Sequence, residues 1–293
     1  MKLGITGAGG QMGAALVRHT LARVPASSVV AITRDAAKLD QLAKQGVEVR
    51  AGDFNQPASL PAAFQGIDRL VIIPTGDLQP GVRVRQQSGA IEAAAAAGVQ
   101  HIIYISTVSA RPDADNVLFA SHFATEQALI QSGASWTILR MSIYMDTLLD
   151  AARRAVASAS YAAVPGAPAA YILRDDIAAT AAGILATSSH EGITYHATGP
   201  VSVTQEEIAE AISQASGKKI AFSAMTEAQQ RAGLEAAGLP PFIINAILGF
   251  QASLRAGAFD LVTGDVARLA SRPATSPVEF FTRALAAATS AKG

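Results

Sequence analysis

Short apolar runs alternate with longer amphipathic stretches through the first half of the chain. The apolar runs cover residues 3–5, 29–33, 47–51, 70–74, 101–107 and 136–140. Runs of this length suit strands that are buried on both faces of a sheet. Strands that alternate with helices at this spacing predict a parallel, doubly wound sheet, in which ligands bind beyond the carboxyl ends of the strands.

The pattern changes after Pro200, where the chain becomes mostly helical. Thr204 and Glu207 form a predicted capping box at the start of one helix, and a last helix begins near Pro277. The predicted fold is α/β, a Rossmann-like doubly wound parallel sheet with a smaller, mostly helical C-terminal lobe. We expect residues 1–145 to bind the nucleotide, segments around 170–200 to return to that domain, and residues 146–293 to form mainly a substrate lobe that closes over the crevice.

Charge and composition exclude several classes of partner. Lysine plus arginine and aspartate plus glutamate both number 23, and no basic run offers a surface for nucleic acid or an anionic membrane. No apolar run approaches the ~20 residues of a membrane helix, and the apolar start suggests a core strand rather than a secretory signal. We expect a cytoplasmic monomer or homodimer that binds neither nucleic acid nor membrane.

Residues 6–13, with the sequence Thr-Gly-Ala-Gly-Gly-Gln-Met-Gly, join the first strand to a helix. The unpaired amides and partial positive charge of a helix start attract phosphate, and glycine lets a diphosphate approach the backbone. The alternative is an ordinary glycine-rich turn. The predicted nucleotide contacts in this turn are Thr6, Gly7, Gly9, Gly10, Gln11 and Met12.

Basic residues follow the second strand, where an NAD-binding chain usually carries an acid for the ribose 2′-hydroxyl. Arg34 stands at the strand end and Lys38 one helical turn later. A cation here suits the 2′-phosphate of NADP, and one charge-assisted bond gives a preference of roughly 10- to 100-fold. The alternative is a solvated Arg34 beside Asp35, which would cap a helix over residues 36–45. We therefore expect NADPH as cofactor, with NADH possible but weaker.

The ends of three further strands complete the predicted cofactor site. Asp53 and Phe54 follow the third strand, where Asp53 would accept from the adenine amino group; a simple turn aspartate is the alternative. Pro74 and Thr75 end the fourth strand beside the expected ribose, and Ser106 near the end of the fifth is also assigned to the cofactor.

The usual acid of carbonyl reduction is absent. Short-chain dehydrogenases typically use Tyr-x-x-x-Lys, with the tyrosine as proton donor, and none of the five tyrosines is followed by lysine four residues on. The five histidines show no ligand spacing with carboxylates, and there is no cysteine, so we predict no metal site.

Several motifs together resemble the NmrA-like branch of the atypical short-chain dehydrogenases, and within it the quinone and triphenylmethane reductases. The resemblance covers nearly the whole chain. It rests on residues 6–13, 31–34, 46–53, 97–102, 137–140 and 216–219, and on His122-x-x-x-Glu126. It implies that the glycine turn and Arg34 bind NADPH and that the protein reduces a flat, electron-poor acceptor. Relatives commonly carry Asn where this chain has Met141. The methionine makes that wall of the expected pocket apolar.

Without a strong acid, hydride transfer suits an acceptor whose product is already stable, such as a quinone or another conjugated aromatic molecule. We assign His122 and Tyr144 as catalytic candidates, with His122 delivering a proton or binding the acceptor. The alternative for His122 is a structural bond to Glu126. Met141, Tyr144 and Phe123 are expected to line an aromatic slot, or alternatively to pack in the core.

Two rival functions stay open at this point. One is a non-catalytic dinucleotide sensor, the role that the resemblance to NmrA-like regulators implies. The other is a ketone or aldehyde reductase that uses His122 or Tyr144 as an unconventional acid.

Overall fold

The computed structural model describes residues 1–77, 79, 81–112 and 116–290. The chain divides into two compact units. The first unit contains Met1–Met141, Arg174–Ala197 and Asp265–Arg272, and the second contains Ser142–Leu173, Thr198–Gly264 and the chain from Pro273 onward. The chain therefore leaves the first unit three times and returns to it twice.

The strands follow the alternation of the sequence. They are β1 (Leu3–Ile5), β2 (Val29–Thr33), β3 (Glu48–Ala51), β4 (Arg69–Ile72), β5 (His101–Thr107), β6 (Ser135–Met141), β7 (Ser160–Ala163), β8 (Ile193–Ala197) and β9 (Ala221–Ala224). Seven of them form one parallel sheet in the order β3-β2-β1-β4-β5-β6-β8. This order confirms the predicted doubly wound α/β fold.

The helices connect these strands and make up most of the second unit. They are α1 (Gln11–Leu21), α2 (Asp40–Lys44), α3 (Leu60–Phe64), α4 (Val82–Ala96), α5 (Val117–Gln131), α6 (Leu149–Ser158), α7 (Arg174–Ala186), α8 (Gln205–Ser216), α9 (Glu227–Ala236), α10 (Pro241–Arg255), α11 (Asp265–Ala270) and α12 (Pro277–Ser290). No helix in the described part of the chain is long and apolar enough to cross a membrane.

The order of the sheet reverses at β1. Leu3 pairs with Val29 of β2 on one side and with Arg69 of β4 on the other. The connections that follow β1 and β4 therefore run to opposite sides, and a crevice opens where the two strands end. The glycine turn follows β1 and so lies at this switch point.

The core of the first unit lies on both faces of the sheet. Strands β1, β4 and β5 are almost wholly buried, as continuous apolar runs in a parallel sheet should be. Helix α7 buries every residue from 176 to 185 because it packs between α1 and α11. A Cβ on Gly183 would lie 1.9 Å from the carbonyl oxygen of Leu269, so only glycine permits this approach.

The expected helix after Arg34 needs correction. The helix expected over residues 36–45 is split into a 3-10 turn, Ala36–Leu39, and the short helix α2. Asp35 occupies the position before that turn, but its side chain makes no capping hydrogen bond. The C-terminal region is helical, as predicted, and the second unit also contains a parallel pair of strands, β7 and β9.

The predicted capping box of α8 is confirmed. The Glu207 amide donates to the Thr204 hydroxyl at 3.2 Å, and the Glu207 carboxylate accepts from the Thr204 amide at 2.7 Å. Helix α8 ends at Gly217, whose left-handed backbone, with φ of +67°, suits glycine. Within the second unit this helix packs against α12 and α6.

Candidate functional site

A cleft of about 750 Å³ lies at the carboxyl ends of β1, β2, β3 and β4, and all the described residues that line it belong to the first unit. Twelve of the thirteen residues that the sequence assigns to the cofactor line this cleft. They are Thr6, Gly7, Gly9, Gly10, Gln11, Met12, Arg34, Lys38, Asp53, Phe54, Pro74 and Thr75. The topology therefore brings segments that are up to about 70 residues apart to one side of the sheet.

The glycine turn has the backbone that a diphosphate site needs. Gly7 has a φ of +64°, and its carbonyl accepts from the Gly10 amide at 2.9 Å, which closes the turn. A Cβ on Gly13 would lie 2.1 Å from the same carbonyl oxygen, so glycine also lets α1 start close against the turn. The first turn of α1 contains no acidic residue to compete for its amides.

The Thr6 side chain links the start of this turn to the neighbouring strand β4 and the residue that follows it. Its hydroxyl donates to the Val71 carbonyl at 3.2 Å and accepts from the Ile73 amide at 2.9 Å. Its side chain is thus committed to holding the end of β1 against the segment that follows β4. The resulting frame positions the exposed residues Gly9, Gly10 and Gln11 at the mouth of the cleft.

Among the described residues, three cationic side chains line the cleft. Arg34 follows β2 and is exposed, whereas the Lys38 ammonium lies 3.7 Å from the Asp35 carboxylate. The third is Arg174, the first residue of α7, which sequence reasoning missed. The only signal for it was the helix start Arg-Asp-Asp, and nothing in the sequence indicates that this start lies beside the glycine turn.

Asp53 is used as a turn residue, in agreement with the alternative raised from sequence. Its carboxylate accepts from the Asn55 amide at 2.9 Å, and its own amide donates to the Ser59 hydroxyl at 3.0 Å. Phe54 packs against the hydrophobic core. Both residues still line the cleft, so a role towards adenine stays a prediction.

Thr75 is held by a polar chain on the cleft wall. Its hydroxyl donates to the Gln86 amide oxygen at 2.6 Å, and the Gln86 amide nitrogen donates to the Asn55 side-chain oxygen at 2.7 Å. The Arg83 guanidinium donates to the Thr75 carbonyl. Sequence reasoning missed Gln86 and Arg83 because α4 reads as an alanine-rich connection with no functional pattern.

Ser106 corrects the cofactor assignment. It is fully buried and is not among the described residues that line the cleft. Its hydroxyl donates instead to the Glu126 carboxylate at 2.5 Å, and Arg140 donates to the same carboxylate at 2.9 and 2.6 Å. Glu126 therefore bonds Ser106 of β5 and Arg140 of β6, and not His122, as the structural alternative for His122 required.

His122 is buried in the first unit, with 3% of its surface exposed. Its Nε2 lies 2.8 Å from an Arg83 nitrogen, and its Nδ1 lies 2.8 Å from the Tyr104 hydroxyl. Burial, together with the charge of Arg83, holds the pKa of His122 well below its usual value. The imidazole is therefore neutral at pH 7, and its role as a proton donor stays a prediction.

The three residues of the predicted aromatic slot fall in both units. Met141 ends β6 and Phe123 lies on α5 in the first unit, whereas Tyr144 lies in the second. All three are partly buried. Within the second unit the backbone of Tyr144 bridges to Ile172. The shared slot, and catalysis by Tyr144, stay predictions. No group of three or more metal-ligating side chains occurs among the described residues.

A doubly wound parallel sheet with a glycine turn at its switch point defines a dinucleotide-binding protein of the Rossmann type. The NmrA-like family matches residues 1–249. The chain therefore belongs to the NmrA-like family. It is 32% identical to quinone oxidoreductase 2 of Escherichia coli over 94% of this chain and 96% of that protein. It is 30% identical to the NAD(P)H azoreductase of Xenophilus azovorans over 94% and 95% of the two chains.

Solved structures match over the same extent. The NADPH complex of the quinone oxidoreductase QOR2 from E. coli superposes with a TM-score of 0.89 at 31% identity, covering 96% of this chain and 99% of that one. The Citrobacter sp. triphenylmethane reductase in complex with NADP(H) gives a TM-score of 0.88 at 29% identity, covering 97% and 99%. These matches agree with the family resemblance recognised in the sequence.

Proposed function

We propose that this protein transfers hydride from NADPH to a quinone-like or other conjugated aromatic acceptor. The broader class is that of an NAD(P)H-dependent oxidoreductase, to which its full-length reductase relatives belong. The observation that carries the proposal is the cleft at the switch point, which is lined by both the glycine turn and Arg34.

The residues of the cleft fit a dinucleotide. The tight turn at Gly7 and the approach of Gly13 leave room for a diphosphate over the start of α1, where the amides of Gln11 and Met12 face no acidic neighbour in the first turn. Arg34 would hold the 2′-phosphate. When bound, NADPH supplies a hydride from its nicotinamide ring.

The chain's own contribution is binding and orientation. The Thr75 carbonyl accepts from Arg83 and the Thr75 hydroxyl donates to Gln86, so hydrogen bonds within the protein orient the wall after β4. His122 is neutral and buried, which leaves no ready acid in the described contacts around it. An acceptor that stabilises the added electron pair itself, and takes its proton from water, suits such a site.

The test is coenzyme oxidation with a panel of acceptors. We expect NADPH to be oxidised with menadione, a plain benzoquinone or an azo dye, and expect simple ketones to be poor acceptors. The quinone and azo compounds are chosen because the E. coli and Xenophilus relatives are named for them. Tight NADPH binding without turnover of any acceptor would instead favour a sensor, and turnover of ketones alone would favour a carbonyl reductase.

A further inference from the structure

We propose that His122 is a positioning residue for the cofactor cleft, acting through Arg83, and that it is not a proton donor to the acceptor. This inference rests on the proposed function only for the coenzyme and the acceptor used in the test. The geometry behind it is a set of hydrogen bonds inside the first unit that joins α5, β5 and α4 to the end of β4.

The direction of each bond in this set follows from the chemistry of Arg83. A guanidinium carries only donors, so the Arg83 nitrogen 2.8 Å from His122 Nε2 must donate, and Nε2 must be bare. A neutral imidazole with a bare Nε2 carries its proton on Nδ1. That proton is then donated to the Tyr104 hydroxyl at 2.8 Å.

The chain of donors continues and returns to its start. The Tyr104 hydroxyl donates to the Gln87 amide oxygen at 3.0 Å, and the Gln87 amide nitrogen donates to the Arg83 carbonyl at 3.0 Å. The four residues thus form a closed ring, which we call the Arg83 ring, with one consistent direction. Every member is at least nine-tenths buried, so no water is needed to complete it.

The ring contacts the wall of the cleft through Arg83. The Arg83 guanidinium donates to the Thr75 carbonyl, and its Nε donates to the Ser121 hydroxyl at 3.1 Å. Thr75 lines the cleft. Since Arg83 is fixed on one side by His122 and Ser121, the acceptor at His122 Nε2 determines where the guanidinium can hold the wall of the cleft.

Protonation of His122 would break this arrangement, because an Nε2–H would face an N–H of Arg83. The groups around the ring are Arg83 from α4, the Tyr104 hydroxyl from β5, and Glu126 on the same helix as His122. Glu126 is already bound by Arg140 from β6. A catalytic proton donor must alternate between protonated and bare forms, whereas this position requires the bare form throughout.

Three variants separate positioning from proton donation. His122→Leu removes the acceptor, and His122→Gln restores an acceptor for Arg83 but cannot act as an acid. His101→Leu is the matched control. His101 is also buried, but it is the first residue of β5, outside the Arg83 ring, and its Nε2 lies 2.8 Å from the Thr137 hydroxyl. The NADPH dissociation constant is measured by fluorescence titration, and kcat is measured at saturating NADPH and menadione.

We expect His122→Leu to raise the NADPH dissociation constant about tenfold, with kcat within about threefold of wild type. His122→Gln should restore most of that affinity, and His101→Leu should leave it unchanged. Two results would overturn the proposal. One is a loss of kcat of ~100-fold or more in both His122 variants with unchanged affinity, as proton donation requires. The other is unchanged affinity and kcat in His122→Leu.

A second measurement keeps the test decisive if His122→Leu does not fold. In the ¹⁵N-labelled wild-type holoenzyme, the His122 ring should show a protonated Nδ1 and a bare Nε2 at pH 7, with the signals assigned through His122→Gln. An imidazolium, or a proton on Nε2, would refute the ring. Absence of turnover with every acceptor would contradict the proposed function, yet the affinities and ring signals would still test the role of His122.

Discussion

Arg34 and Lys38 are both exposed cations of the cleft, but their surroundings differ. The Lys38 ammonium lies 3.7 Å from the Asp35 carboxylate, which partly neutralises its charge. Arg34 directly follows the end of β2. Arginine also presents a planar pair of donors that matches a phosphate. We therefore expect Arg34, rather than Lys38, to distinguish NADPH from NADH.

We predict that Arg34→Ala raises the dissociation constant for NADPH about tenfold and changes that for NADH by less than about twofold. The measurement is a titration of each coenzyme with the purified variant. Lys38→Ala is the matched control and should affect NADPH less than Arg34→Ala does. Equal losses for both coenzymes in Arg34→Ala would remove the assignment of the 2′-phosphate to this residue.

Two glycines of the same turn should respond differently to substitution. Gly10 has φ −91° and ψ 168°, an extended backbone that any residue adopts, and a Cβ there would meet its nearest described atom at 3.4 Å. We predict that Gly10→Val folds normally but loses dinucleotide binding, because the new side chain fills the space over the start of α1. Circular dichroism and coenzyme titration check the two halves of this prediction.

Gly13 supplies the contrast. Its Cβ would lie 2.1 Å from the Gly7 carbonyl oxygen and 2.7 Å from Ala8 backbone, so Gly13→Ala should damage the fold itself. Retained coenzyme binding in Gly10→Val would mean that the phosphates lie elsewhere in the cleft. Sequence spacing alone cannot separate these two glycines, because their roles depend on which way the missing side chain would point.

At the level of single elements, the strands are the most predictable part of the molecule. A strand buried on both faces appears as a continuous apolar run, and residues 101–107 predict β5 without error. The pair β7 and β9 has no such signal, since Ser160–Ala163 and Ala221–Ala224 are four-residue segments that are partly exposed and contain one aromatic residue each. Their pairing is a tertiary choice that local pattern does not encode.

The polar face of α4 has a related explanation. Arg83, Gln86 and Gln87 are buried in a helix whose first half is largely polar and whose second half is rich in alanine, so periodicity gives no reason to place them inside. Their partners lie on β5, α5 and the segment after β4, which become neighbours only when the sheet forms. For the same reason, Arg174 could be seen as the start of a helix but not as part of the cleft.

Helix α7 packs closely against α11 at Gly183. Gly183 meets the Leu269 backbone so closely that a methyl group would overlap the carbonyl oxygen at 1.9 Å. We predict that Gly183→Ala lowers the free energy of unfolding by about 2 kcal/mol or more through forced separation of α7 from α11. Denaturant titration measures the loss.

Gly89 of α4 provides the matched control for that substitution, because a Cβ there meets no described atom within 4 Å. Gly89→Ala should be neutral or stabilising, by up to about 1 kcal/mol, since alanine is the better helix former. A Gly183→Ala variant as stable as wild type would contradict the close packing of the two helices.

On the scale of the whole molecule, the chain forms two compact units, and the cofactor cleft belongs to the first alone. That unit is assembled from three separated segments. The second segment contributes helix α7 and strand β8, and β8 joins the sheet that begins with β1. Every described residue that lines the cleft comes from the first or second of those segments. Ligand binding in this cleft should therefore stabilise the first unit directly.

This organisation predicts how coenzyme changes thermal unfolding. A ligand that binds only the native state stabilises it by about 2.7 kcal/mol at a concentration one hundred times its dissociation constant. For a unit of this size the midpoint should rise by roughly 5–10 °C. Calorimetry with saturating NADPH should show this rise in wild type and none in Gly10→Val, while equimolar NADH should give a smaller rise. If the two units unfold in separate transitions, only the one belonging to the first unit should respond to ligand through this cleft. A shift confined to the other transition would place the coenzyme outside the cleft.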